Sequence, residues 1–167
     1  MSRFVISASK LNCMDYLLLK WVHIISSTIL FGTGIGSAFY MFMANRRKDV
    51  AGIYFATRHV VIADWLFTTP SVIIQLVTGI SLVRIMGFAW TDAWITWALI
   101  LYFFAGACWL PVVVMQINMR NMAKIAIETG TPLPERYWKM DRWWITLGSL
   151  AFPAMVVVFW LMVFKPV

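Results

Sequence analysis

Charge is scarce in this 167-residue chain: 13% of its residues are charged, only seven of them acidic, while 62% are apolar. A water-soluble domain of that make-up would lack the polar surface to cover itself. Cysteine is nearly absent as well. Cys13 precedes the first apolar run and Cys108 falls inside the third, so the pair offers neither a disulfide nor a paired C-x-x-C metal site. There is no Walker loop, no dinucleotide fingerprint after a strand, no G-x-S-x-G and no H-E-x-x-H. Those absences exclude the usual soluble nucleotide-binding, hydrolase and metalloprotease chemistries and leave any catalysis resting on a cofactor. The net charge of +7 has no separate basic domain behind it, which argues against a nucleic-acid partner.

What the chain has instead is four apolar runs, each long enough to cross ~30 Å of hydrocarbon. They cover about residues 16–43, 60–86, 93–117 and 144–164. Lipid cannot satisfy open backbone and the short alternation of a barrel is missing, so each run is expected to be an α-helix. The fold class is therefore an all-α membrane protein, one four-helix bundle over residues 1–167 in the lipid bilayer. Residues 118–129 continue the third helix with Met115, Met119 and Met122 on one side. Gly130 stops it, and Pro132 and Pro134 open a last helix over 134–164. Helices three and four thus form a hairpin projecting from the membrane, and its methionines read as core filler, not as a copper site.

Lys and Arg give an orientation. Nine lie in the first and third connections (Arg46, Arg47, Lys48, Arg58, Arg120, Lys124, Arg136, Lys139 and Arg142) and five on the other side (Arg3, Lys10, Lys20, Arg84 and Lys165). The positive-inside rule then puts the hairpin in the cytoplasm and both termini outside. Trp21, Trp90 and Trp94 fit an outer aromatic belt and Trp138, Trp143 and Trp144 an inner one, while Trp109 and Trp160 lie deeper. The segment 1–15 does not read as a cleaved signal, because the run after it is long enough to span and no small-residue cleavage pattern follows.

His23 is the one histidine within an apolar helix, and intramembrane ionisable groups mark relays, ion paths or cofactors. Ser26, Ser27, Leu30, Gly34 and Ser37 lie within about 60° of it on the helix wheel, a groove of mainly small groups that suits a flat macrocycle held at the ring nitrogen. Gly32 and Gly36 form a G-x-x-x-G pair on the opposite side, open to close helix packing. Helix two carries Asp64, Thr68, Ser71, Gln75 and Thr78 on one inward face, read either as interhelical hydrogen bonding or as a polar pocket, with Arg58 a candidate partner for Asp64. Lys20, Arg84 and Lys165 stand at the level of His23 and suit carboxylates such as haem propionates or lipid headgroups, or else snorkel to the interface. His59 falls at the other end of helix two and cannot share a haem with His23. Met86, Met162 and Tyr102 are at a depth suited to a second axial ligand. A histidine one turn below Lys20 could also simply hydrogen-bond a helix-two hydroxyl.

The segment Leu19-Lys20-Trp21-Val22-His23-Ile24-Ile25, the stretch Pro70–Leu82 with Thr78-Gly79, and the ending Phe164-Lys165-Pro166 resemble a family of small bacterial integral membrane proteins of unknown function. More distantly they resemble the membrane haem-containing protoporphyrinogen oxidases and the copper-resistance membrane domains. The resemblance implies a multi-pass protein of the bacterial inner (plasma) membrane, with a b-type haem iron on His23 and Lys165 as a second matching position. Where the oxidases commonly carry His-Ala-Lys in helix three, this chain reads Ile95-Thr96-Trp97-Ala98, which departs from porphyrinogen oxidation. The expectation is a haem b or related porphyrin near the outer leaflet, serving electron transfer or oxidation of a lipophilic substrate. The alternatives are a non-catalytic subunit or assembly factor bound to a membrane-protein partner or to a second copy, and a small-solute or metal carrier using the helix-two stripe.

Overall fold

Long apolar runs and well-placed caps dictate a wholly helical chain. In the computed structural model, which describes the backbone of residues 2–166 and side chains from residue 14 onward, α1 spans Ser2–Arg47, α2 Val50–Ala63, α3 Thr69–Met86, α4 Ala93–Thr129 and α5 Glu135–Phe164. A single π-helical turn, Asp64–Thr68, joins α2 to α3. Four segments are long and apolar enough to cross a membrane: Met14–Arg47, Val50–Met86, Ala93–Thr129 and Glu135–Phe164. Cys13 lies outside the residues whose side chains are described, as do Arg3 and Lys10.

The second span begins ten residues earlier than the hydropathy of the sequence suggests. Lys48 takes a left-handed φ of 57°, and Asp49 then caps a new helix, its carboxylate accepting from the amides of Ala51 at 3.3 Å and Gly52 at 2.9 Å. Such a cap is worth about 1 kcal/mol, enough to restart a helix where Thr57, Arg58 and His59 dilute the apolar signal. The helix ends are equally local. Gly87 (φ 68°) and Gly130 (φ 64°) close α3 and α4, and the following amides of Phe88 and Thr131 return to the carbonyls of Val83 and Ala126.

Pro70 explains the π turn. It has no N–H to offer the ladder and its ring crowds the preceding turn, so the backbone slips by one and Thr69 N–H bonds the carbonyl of Asp64. Pro111 and Pro153 remove one ladder bond each at a similar level of α4 and α5.

Helix α1 packs on α2 and α3, α2 packs on α4, and α4 packs along α5. Side chains interlock at both ends of the bundle. At the end carrying the two short connections, Met41, Ile53, Met119 and Tyr137 are wholly buried around Trp144, with Met115 and Met122 against them, so the hairpin methionines do fill a core. At the opposite end Trp94, Ile95, Ala98, Val158 and Leu161 form a second core. Trp94 and Trp144 are thus core residues, whereas Trp21 and Trp143 stay exposed as interfacial tryptophans would be. Trp160, also half exposed, tilts against Phe164.

The seam between α1 and α5 is different. Near one end Phe31 stacks on Phe152 and meets Phe159 edge-on. Near the other, buried Asn45 accepts from the Tyr137 hydroxyl at 2.7 Å and donates to Asp141 at 2.6 Å. Between these two clips the helices stand apart.

Candidate functional site

His23 sits in the α1–α3 seam. Its Nδ1 is 2.7 Å from Thr78 Oγ1, which also reaches the carbonyl of Ile74. The Thr78 hydroxyl has one hydrogen, which it gives either to Nδ1 or to the Ile74 carbonyl, and the tautomer of His23 follows that choice. Gln75 reaches across the same seam and donates to the carbonyl of His23 and to Ser26 Oγ. The ring lies against Gly79, where a Cβ would make an ordinary contact with Cε1 at 3.4 Å. The histidine has found the helix-two hydroxyl that its position allowed.

The groove expected beyond His23 is divided. Ser26 is buried under Gln75, Ser27 turns back to the carbonyl of Ile24, and Gly34 lines a separate chamber described below. Each of the three cations has its own setting. Lys20 is exposed over the ring of Tyr16, Arg84 is exposed in the last turn of α3, and Lys165 lies over the rings of Phe88 at 4.8 Å and Trp94 at 5.5 Å. Long flexible cations at helix ends settle on aromatic faces and water before they converge on one point. His59 is exposed against Phe55, 19 residues and therefore ~28 Å of helix from Thr78. Met86 and Met162 are partly exposed. Nothing within 4 Å would meet a Cβ at Gly32 or Gly36, so among the described residues no helix packs on the G-x-x-x-G face.

The inward stripe of the second span serves two places. Gln75 and Thr78 face α1, whereas Asp64 and Thr68, carried on the π turn, face α4. Asp64 is 5% exposed and is not paired with Arg58. The Thr68 hydroxyl donates to its Oδ1 at 2.9 Å and the Gln116 amide to its Oδ2 at 2.6 Å, while Gln116 Oε1 accepts from Trp144 Nε1 at 3.2 Å. Ser71, also buried, lies between the two clusters.

Above this polar floor, in the gap of the α1–α5 seam, is a chamber of about 660 Å³. Its walls are apolar: Phe31 and Phe39 from α1, Val72 from α3, Phe152 and Pro153 from α5. Gly34, Gly106 and Gly148 border it from three helices, and a Cβ at any of them would meet nothing within 4 Å. Gly34, Phe39, Gly148 and Phe152 are exposed and α1 and α5 scarcely touch, so the chamber opens sideways between α1 and α5, where lipid would stand. Two polar groups border its upper part. The Tyr102 hydroxyl donates to the carbonyl of Val72 at 2.6 Å, and Trp109 Nε1 is buried with no partner among the described residues.

His23, Lys20, Arg84 and Lys165 do not line this chamber. At His23 the ring Nδ1 is engaged by Thr78 and the backbone carbonyl by Gln75. The chamber's own residues Gln116, Trp144 and Trp109 were not visible as a site in the sequence. Gln116 stands four residues from Arg120 and reads there as an interfacial amide.

Residues 17–166 match the family described as predicted integral membrane protein (DUF2269). No curated protein and no solved structure matches the chain. The match agrees with the resemblance to a family of small integral membrane proteins, and nothing in the comparisons supports the more distant likeness to haem oxidases or copper-resistance domains.

Proposed function

We propose that this chain, which belongs to the family of predicted integral membrane proteins (DUF2269), holds a lipophilic small molecule that enters its central chamber from the bilayer through the α1–α5 gap. The observation that carries the reading is the chamber itself. About 660 Å³ is in the range of small-molecule sites, and the combination of apolar walls with a few convergent polar groups is how such sites fix an amphipathic ligand. Packed helices normally leave few voids larger than a water, and this one is held between two interlocked cores by clips at Phe31 and Asn45. The basic end of the bundle would face the cytoplasm of a bacterial inner membrane by the positive-inside rule.

The test is photolabelling in nanodiscs with a long-chain alcohol bearing a diazirine. Expected is labelling of residues 102–116 and 144–155 that non-photoreactive dodecanol suppresses and that Gly106→Phe, which fills open space, reduces severalfold. Labelling spread evenly over the lipid-facing surface, with no suppression by dodecanol, would overturn the reading.

Haem at His23 is a separate reading, supported by a ring nitrogen, Nε2, that no hydrogen bond among the described residues occupies. A Soret band in protein purified from haem-supplemented cells, lost in His23→Ala, would establish it; a colourless protein would remove it.

A further inference from the structure

We infer that the chamber selects a lipophilic cation, an alkylammonium or similar amphiphile whose charged head is received by Asp64. This rests on the reading of the chamber as a lipophile site and names the ligand class. Among the described residues that line the chamber Asp64 is the only acidic one, and no Lys, Arg or His is among them. It is almost fully buried, and both of its contacts, Thr68 and Gln116, are neutral donors. The ion pairs formed among the described residues, Lys124–Glu128 and Lys139–Glu135, are exposed and lie on other helix faces. A carboxyl away from water either takes up a proton or sits beside a counter-charge. None of the described residues supplies that charge, while the chain does hold the carboxyl in place: the π turn brings Asp64 and Thr68 to the floor, and Trp144 orients Gln116.

The hydrogen-bond count leaves a vacancy of the right kind. A carboxylate accepts at about four positions, and Asp64 uses one on each oxygen. The remaining lone pairs want donors, which an ammonium has and an ether, ester or ketone lacks. The geometry suits a head-down amphiphile. Asp64 is six residues, ~9 Å of helix, from Arg58 at the basic end, so the head would rest near the interface and the chain would run up the apolar walls. The unpartnered Trp109 N–H is two turns from Gln116 along α4, about 10 Å further in, and would favour ligands carrying an acceptor at that distance.

The experiment measures competition against the same diazirine alcohol in phosphatidylcholine nanodiscs, whose zwitterionic headgroups carry no net charge to concentrate an amine. Dodecylammonium is compared with dodecanol on the wild type and on Asp64→Asn, which keeps the shape and an acceptor. Expected is suppression by the amine at a concentration at least about tenfold lower than the alcohol, with the two equal in Asp64→Asn. Equal potency on the wild type overturns the cation inference and leaves the lipophile reading standing, and that comparison needs no variant to fold. A tenfold preference that persists in Asp64→Asn overturns the assignment to Asp64. Failure of both competitors sinks the lipophile reading itself.

Discussion

Replacing Asn45 by alanine should unfasten one end of the α1–α5 seam, and the size of the effect follows from what it leaves behind. Asn45 is 5% exposed, its carbonyl accepts from Tyr137, which is wholly buried, and its amide donates to Asp141. Tyr137→Phe removes the hydroxyl and strands the Asn45 carbonyl, at about 1–3 kcal/mol for a buried group left without its partner. Asn45→Ala strands the Tyr137 hydroxyl and an Asp141 oxygen together, about 2–5 kcal/mol, so its loss should exceed that of Tyr137→Phe. The assay is unfolding in dodecyl maltoside micelles titrated with SDS and followed by far-ultraviolet circular dichroism. Arg47→Ala on the exposed surface is the control, expected within about 0.5 kcal/mol of wild type. An Asn45→Ala midpoint equal to that control would refute the claim that the network clips the seam.

Thr78→Val should weaken the α1–α3 seam by about 1 kcal/mol in the same titration, with Thr78→Ser near wild type, because only the hydroxyl answers His23. Asp49→Ala should remove about 1 kcal/mol through the lost cap, and Asp49→Ser should restore most of it; equal midpoints for all three would dismiss the cap. In a background lacking Cys13 and Cys108, Ala89→Cys should react with an impermeant maleimide in intact cells, and Thr131→Cys only after permeabilisation; the reverse pattern would invert the proposed orientation.

The four spans were legible because ~20-residue apolar runs have few other uses, and the turn at Gly130 because glycine readily takes the left-handed φ that stops a helix. The early start of the second span was hidden by the polar residues Thr57, Arg58 and His59, although Asp49 carried the capping signal. His23 was legible as a group needing a partner, and the helix-two hydroxyl that answers it was among the readings its position allowed. The chamber was not legible. Its glycines, 34, 106 and 148, come from three helices and align only when the bundle closes, and its width comes from a seam where α1 and α5 fail to meet. Pro70 was visible, but the slipped turn that re-aims Asp64 and Thr68 depends on how the ladder relaxes around the ring.

The most direct measurement is anomalous diffraction from crystals of the protein grown with a terminally brominated dodecanol. A bromine peak inside the chamber, between Phe31 and the Gly34–Gly148 gap with the hydroxyl end toward Asp64, is what the structure predicts. Bromine confined to the outer surface of the bundle, or α1 and α5 closed on one another with no space between, would contradict it.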